Sequence, residues 1–182
     1  MILFHDLTER IKMSRAWCMP SADTFEMPPC AALLDRWLVG RAVVVDPFAR
    51  NGRRGTLRND LNPETRAEYH MDAVAFLDRM LADGVVADAV LFDPPYSPRQ
   101  ISEVYAMVGR KATTADTQNA ALYGAVKDRL ARLLRPGGVA LSFGWNSIGF
   151  GRSRECRTVE ILLCCHGGAH NDTICVVEER DD

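Results

Sequence analysis

The stretch VLFDPPYSPRQ, residues 90–100, places an acid, two prolines and an aromatic ring directly after an apolar run. The Asp93 carboxylate can accept one hydrogen of an exocyclic amine in a charge-assisted bond. The carbonyl of Pro94, fixed by the rigid pair with Pro95, can accept the other hydrogen, and the ring of Tyr96 can stack on a base. The pattern predicts a site that orients a nucleobase amine for in-line displacement, on a base that is flipped out or unpaired.

Three further acids follow predicted strands or precede a helix: Asp46 in VVVDPFARNG, Asp60 in NDLNP and Asp72 in YHMDAV. Asp60 is placed to accept hydrogen bonds from a ribose diol, and Asp72 to accept one from an adenine amino group. The chain has neither G-x-G-x-x-G nor the glycine-lysine motif of P-loop enzymes, which disfavours cofactors held by their phosphates. A sulfonium near Asp46 fits better, so we expect S-adenosylmethionine. The alternative is that these acids are caps and turn residues.

The elements that must position these residues alternate between strand and helix. Hydrophobic periodicity and turn signals predict helices over 30–38, 71–84 and 119–138, strands over 41–48, 55–63, 87–96 and 139–145, and a closing hairpin over 158–168 and 171–180. This order predicts an α/β, doubly wound, mostly parallel sheet with the hairpin as an antiparallel edge. Ligands bind at the carboxyl ends of the strands in such sheets, where most of the acids lie.

The order DPFARNG, NDLNP and DPPY resembles the N6-adenine DNA methyltransferases, from about Phe25 to the terminal hairpin. The resemblance implies a seven-stranded Rossmann-like sheet, S-adenosylmethionine as cofactor and DNA as the favoured nucleic-acid partner. It makes Asp93, Pro94, Pro95 and Tyr96 the catalytic motif. The cofactor residues that it implies are Asp46, Phe48, Ala49, Asn51, Asp60, Leu61, Asp72, Ala73 and Phe25, with Thr24 as a further candidate.

Substrate contacts are expected from Trp145, Asn146 and Arg99. Trp145 either flanks the flipped base or caps the core, and for Asn146 a bond within its own loop is favoured. The family's first motif has glycine where this chain has Arg50, although Gly52 is kept. An arginine there could crowd the ligand or impose a different loop, and this motivates one alternative function, a non-catalytic nucleic-acid-binding subunit. The other is a small RNA methyltransferase acting on adenine N6 or guanine N2.

Length favours one domain over 1–182, with 1–40 as a cofactor-flanking segment and helix and without a separate target-recognition domain. Specificity is then expected from the loops 97–118 and 146–157, or from a protein partner or a second copy. The net charge of −2 does not indicate nucleic-acid binding, but two loops are rich in arginine. These arginines are Arg50, Arg53, Arg54 and Arg58 in one loop and Arg152, Arg154 and Arg157 in the other.

Hydrophobic residues make up 47% of the chain and charged residues 25%, as in soluble globular proteins. No apolar run approaches the roughly 18 residues of a membrane span, and the first residues lack signal-peptide features. The six cysteines are scattered, which favours reduced thiols. We therefore expect a cytoplasmic protein of a prokaryotic or phage-infected cell; the compact size suggests a phage or mobile element.

The run CCHGGAH offers a local metal site from Cys164, Cys165, His166 and His170, with Cys175 nearby. Zinc-binding cysteine pairs are usually separated by two to four residues, and adjacent strand residues face opposite sides of a sheet. We therefore expect core cysteines and turn histidines here, and no metal.

Overall fold

The computed structural model describes residues 10–95, 119–168 and 170–182, together with residues 106 and 109. In chain order the elements are β1 (Lys12–Trp17), a 3-10 helix (Thr24–Glu26), α1 (Pro28–Leu38), β2 (Val44–Asp46), β3 (Leu57–Arg58), α2 (Ala73–Ala82), β4 (Ala87–Phe92), α3 (Asn119–Leu133), β5 (Leu134–Gly144), a second 3-10 helix (Arg152–Arg154), β6 (Cys156–Cys165) and β7 (Thr173–Arg180). Within these ranges no helix is both long and apolar enough to cross a membrane.

The described strands form one seven-stranded sheet in the order β1-β6-β7-β5-β4-β2-β3. β7 runs antiparallel to both neighbours, β5 and β6, and the remaining pairs are parallel. The predicted α/β class, the mostly parallel sheet and the closing hairpin are confirmed. The predicted place of the hairpin at the edge of the sheet is wrong, because β1 lies outside β6 and β7 is interior.

Helices cover both faces of the sheet. Leu33 and Leu34 of α1 are fully buried in the core on one face. Phe76 of α2 and Leu130 of α3 are fully buried in the core on the other. β4 is buried on both sides, which explains its nearly continuous apolar sequence ADAVLF. The sheet is therefore doubly wound, and packing on both faces fixes the central strands and the residues at their carboxyl ends.

The boundaries of the elements broadly follow the sequence signals, and the main differences concern the end of α3 and the length of β3. α1 begins at Pro28, where the fixed φ of proline suits the first turn, and Gly84 follows α2 with φ +70°. The helix predicted over 119–138 ends at Leu133, and β5 begins at the next residue. The strand predicted over 55–63 is only two residues long, so Asp60 lies in the loop beyond it.

β1 was not predicted, because its sequence KMSRAW lacks an apolar alternation and five of its six residues are exposed. Met13 is 74% exposed and Trp17 67% exposed. The strand is held by its backbone, in register with β6 from Lys12 opposite Glu160 to Trp17 opposite Cys165. The segment 1–40 therefore contains a strand as well as the predicted helix. The single-domain organisation stays a prediction.

Candidate cofactor and substrate site

The acid and the two prolines of the opening motif follow β4 at its carboxyl end. Asp93 is half-buried, Pro94 is buried and Pro95 is half-buried. The hydroxyl of Tyr123, on α3, donates a hydrogen bond to the carbonyl of Pro95. Burial raises the pKa of Tyr123 to about 12, so this hydroxyl remains protonated and keeps its role as donor. Tyr123 thus anchors the motif from the helix that packs beneath it.

Tyr96, the aromatic member of the motif, lies outside the described residues, as do Arg99 and most of the loop 97–118. Their roles in stacking and substrate binding stay predictions.

A cavity of about 280 Å³ opens beside Asp93. It is lined by Ala22, Asp23, Thr24, Phe25, Glu26, Phe48, Ala49, Arg50, Asn51, Gly52, Arg53 and Asp93. One wall is the segment 22–26, part of the predicted cofactor-flanking segment, and another is the loop after β2. The volume is close to the lower limit of about 300 Å³ for small-ligand sites.

Five predicted site residues meet at this cavity: Phe25, Phe48, Ala49, Asn51 and Asp93. Phe25 is buried and packs against Phe143 of β5, with 4.9 Å between ring centroids. This contact holds the segment 22–26 against the sheet. The cavity therefore joins the predicted cofactor loop to the acid of the predicted catalytic motif.

Asp46 is the last residue of β2 and is not among the residues that line the cavity. Its side chain is fully buried, and Oδ1 accepts a hydrogen bond of 3.1 Å from the backbone N–H of Phe48. Oδ2 is buried without a hydrogen-bond partner among the described residues. Burial raises the pKa of Asp46 to about 7; the Phe48 N–H opposes this rise, while Asp93 and Asp60 add to it. Asp46 is thus a polar group that the protein itself only half satisfies.

Arg50 adopts φ +48°, the left-handed region that favours glycine. The loop therefore holds this arginine in a backbone conformation that glycine would adopt without steric cost. Its N–H donates to Oδ2 of Asp60 at 3.1 Å. Its guanidinium donates to the carbonyl of Ala22 at 2.5 Å and lies 3.5 Å from Oδ1 of Asp23. Arg50 thus connects the two walls of the cavity.

Asp60, Leu61, Asp72 and Ala73, also predicted as cofactor residues, are not among the residues that line the cavity. Asp60 also accepts from the N–H of Asn62 at 2.9 Å, so both of its oxygens shape the loop. Oδ1 of Asp72 caps α2 by accepting from the first-turn N–H groups. Ala73 is buried below them. Their contacts with a cofactor stay predictions.

Asn59 is a positioning residue that the sequence did not single out. It is buried, and Nδ2 donates to the carbonyls of Pro47 and Met71, at 3.2 and 3.0 Å. Its Oδ1 accepts from the N–H of Met71 at 3.0 Å. Asn59 therefore joins the loop after β2 to the segment before α2. Its neighbour Asp60 drew the prediction because acids carry a clearer chemical signal than amides.

The loop after β5 carries the two described substrate candidates. Trp145 is 43% exposed, and Oδ1 of Asn146 accepts from the N–H of Ile148 at 2.9 Å, the bond within its own loop that the sequence favoured. Nζ of Lys127 donates to the carbonyls of Ile148 and Gly149 and fixes the same loop to α3. Neither Trp145 nor Asn146 is among the lining residues of the cavity, and their substrate roles stay predictions.

Most arginines of the two arginine-rich loops are paired with acids. The pairs are Arg50 with Asp23, Arg54 with Asp35, Arg58 with Glu68, Arg152 with Asp181, Arg154 with Asp128 and Arg157 with Glu179. Arg53 lines the cavity. These ion pairs favour solvated, structurally engaged arginines over a concentrated phosphate-binding surface.

No known family profile matches the chain, and no curated protein sequence matches it. Solved structures do share its fold. A 1,6-didemethyltoxoflavin-N1-methyltransferase from Burkholderia thailandensis, with bound 1,6-didemethyltoxoflavin and S-adenosylhomocysteine, is 18% identical with a TM-score of 0.54; the match covers 85% of this chain and 78% of that one.

TrmN from Thermus thermophilus is 16% identical with a TM-score of 0.50, and NSun6 from Pyrococcus horikoshii is 14% identical with a TM-score of 0.51. The matches cover 85% and 82% of this chain, but only 49% and 51% of those proteins. The chain thus spans about half the length of these two structures. At such identities the likeness establishes the fold, which is the Rossmann-like methyltransferase fold predicted from the sequence.

Proposed function

We propose that this protein transfers a methyl group from S-adenosylmethionine to the exocyclic N6 amine of adenine in DNA. The observation that carries the proposal is the place of Asp93. It follows β4 at the carboxyl end, begins the Asp-Pro-Pro unit and lines the same cavity as the loop after β2. One carboxylate therefore lies where the proposed cofactor cavity and the proposed base-binding motif meet.

The residues around the cavity fit a cofactor that carries a sulfonium cation and no phosphate. Asp23, Glu26 and Asp93 line it together with Arg50 and Arg53, and the half-satisfied Asp46 ends β2 just before the lining residue Phe48. The acids outnumber the arginines even though Asp23 is paired with Arg50, and a cation nearby would favour the ionised form of Asp46. When bound, S-adenosylmethionine supplies an electrophilic methyl group.

The protein contributes position rather than acid–base chemistry. Asp93 accepts one hydrogen of the amine and the Pro94 carbonyl accepts the other, which directs the nitrogen lone pair away from both. Tyr123 holds the next carbonyl, that of Pro95, and so restrains the peptide geometry around Pro94. Tyr96 stacks on the base. The nitrogen loses its proton after it has gained the methyl group, so no strong base is required.

The first test is nucleoside analysis after incubation of the protein with labelled S-adenosylmethionine and either DNA or RNA. Label on N6-methyladenine from DNA is the expected result. Label in RNA alone would instead assign the protein to the RNA enzymes that modify adenine N6 or guanine N2. Absence of label from both, together with no cofactor binding by calorimetry, would favour the non-catalytic subunit.

The second test is Asp93→Ala. Because the substitution removes an acceptor for the amine, we expect methyl transfer to fall by at least about 100-fold, the scale set by loss of a positioning or electrostatic group. Cofactor affinity should change little. Asp83→Ala is the matched control, since Asp83 is an exposed acid at the end of α2 that pairs with Arg79; it should keep most of the activity. Substantial transfer by Asp93→Ala would show that another group holds the amine.

A further inference from the structure

Three cysteines that are far apart in sequence meet inside the core. Cys30 of α1 lies with its Sγ 3.5 Å from that of Cys164 on β6 and 3.6 Å from that of Cys175 on β7. The three sulfur atoms all lie within 4.8 Å of one another, and each residue is fully buried. These cysteines belong to α1 and the interior hairpin, on the side of the sheet that α1 covers.

The spacing of these sulfur atoms is that of thiolates around one tetrahedral ion. A Zn–S bond of about 2.3 Å places two sulfurs of a tetrahedral site about 3.8 Å apart. The observed sulfur–sulfur distances of 3.5 and 3.6 Å are close to this value. Cys165, the neighbour of Cys164, is only half-buried, as expected for the opposite face. The local set considered from CCHGGAH therefore does not form, but one of its members joins a cluster assembled by the fold.

A fourth cysteine, Cys18, lies in the segment before α1. It is buried, and its Sγ lies 3.9 Å from Nδ1 of His166, outside the group of three sulfurs that lie within 4.8 Å of one another. Its backbone is fixed by a hydrogen bond from its N–H to the carbonyl of Cys165 at 3.1 Å. Its carbonyl lies 2.9 Å from Nδ1 of His166, and the other ring nitrogen lies 2.9 Å from Oγ1 of Thr173. Both ring nitrogens of His166 thus have oxygen partners, so the Cys18 thiol, once it turns from His166, is the better fourth ligand.

We propose that Cys30, Cys164 and Cys175 bind a structural zinc ion, with Cys18 turning from His166 to complete a closed, four-thiolate site. Four sulfur donors without an open position are typical of structural zinc rather than catalytic zinc. Core packing alone would explain isolated buried cysteines, which behave as small hydrophobic side chains. It does not require three of them, brought from α1, β6 and β7, to place their sulfurs within 4.8 Å of one another.

The site would have a consequence for the cavity described above. Cys18 and Cys30 are the two ends of the segment that contains residues 22–26, one wall of the cavity. A zinc ion bound to both would fix the ends of this segment to β6 and β7. The proposed site would therefore stabilise the wall of the cavity that the segment 22–26 forms.

The direct test is the metal content of the full chain, purified under reducing conditions and measured by mass spectrometry. We expect about one zinc per chain, as in other structural sites. After zinc removal, titration with Co²⁺ should give the sulfur-to-cobalt charge-transfer band and the intense visible bands of tetrahedral coordination. These measurements need no cofactor and no methyl transfer, so they can fail or succeed independently of the proposed function.

Matched serine variants identify the ligands. Cys164→Ser should lose most of the zinc and the charge-transfer band, whereas Cys165→Ser, at the next residue on the opposite face, should keep both. Cys18→Ser should lower zinc content and change the cobalt spectrum. Wild-type protein that binds neither Zn²⁺ nor Co²⁺ overturns the proposal. So does equal metal content in Cys164→Ser and Cys165→Ser, and unchanged metal binding in Cys18→Ser overturns its four-thiolate form.

Discussion

At the scale of single residues, Asp46 gives a pH dependence with a definite sign. Its folded-state pKa is about 7 because the side chain is buried, against an ordinary value of 3.8. Between these values the folded protein retains a proton that the unfolded chain has released. Stability should therefore fall as pH rises from about 4 to about 7, by at most about 4 kcal/mol, and then become constant.

The measurement is urea unfolding of wild type and Asp46→Asn, without cofactor, at pH 5 and pH 8. Asparagine keeps an acceptor for the Phe48 N–H but cannot ionise. The free energy of unfolding of the variant should therefore rise relative to that of wild type as the pH rises. Asp88, whose pKa is lowered to about 2 by Arg135 and backbone N–H groups, titrates below this window. A stability difference that is the same at both pH values would mean that Asp46 ionises normally.

Much of the site could be predicted residue by residue. Phe48, Ala49, Asn51 and Asp93 were named from motifs, and they share one cavity because the ends of neighbouring parallel strands meet at one edge. Phe25 was named from the family resemblance and reaches the cavity from the 3-10 helix. The cysteine cluster could not be predicted in this way. Its members are separated by as many as 145 residues, so only the packing of α1 on the hairpin brings them together. Sequence spacing carries no signal for such a contact.

At the scale of elements, the loop after β2 stores conformational strain at Arg50. A residue with a side chain loses about 1–2 kcal/mol in the left-handed region, while glycine does not pay this steric cost. Arg50→Ala removes the guanidinium contacts with Ala22 and Asp23 but keeps the strain. Arg50→Gly removes both. We therefore expect the glycine variant to be more stable than the alanine variant by about 1 kcal/mol, after the greater flexibility of unfolded glycine is allowed for.

Urea unfolding of the two variants and wild type measures this difference. The comparison between glycine and alanine isolates the backbone term, since neither side chain can reach the segment 22–26. An alanine variant as stable as the glycine variant would show that the loop does not hold this residue at positive φ.

The elements themselves were predictable where burial imposes a pattern and not elsewhere. β4 and α1 have clear apolar patterns, because β4 is buried inside the sheet and α1 buries one side against it. β1 has none, since backbone pairing with β6 suffices to hold it while Met13 and Trp17 remain exposed. Because this unpredicted strand pairs with the outer side of β6, the hairpin lies in the interior of the sheet and not at its edge.

At the scale of the whole molecule, the cavity lies between two parts of the chain that join the fold differently. The loop after β2 belongs to the central sheet, whereas the segment 22–26 is held by Phe25 on Phe143, by Arg50 and, as proposed, by the cysteine site. A ligand between them adds contacts to both. Binding should therefore stabilise the entire fold, by about 2.7 kcal/mol at a ligand concentration 100 times Kd.

For a chain of this size each kcal/mol raises Tm by roughly 2–4 °C, so this stabilisation corresponds to roughly 5–10 °C. Thermal unfolding with S-adenosylmethionine or S-adenosylhomocysteine measures the shift. Asp93→Ala should keep this rise in Tm, because the Asp93 carboxylate is proposed to hold the amine and not the cofactor. Phe25→Ala should reduce the rise, because it removes the contact that holds one wall of the cavity. NAD should give little shift, since the loop after β2 has no pyrophosphate motif. A shift with NAD equal to that with the adenosyl ligands would contradict a cavity that selects adenosyl ligands without a pyrophosphate.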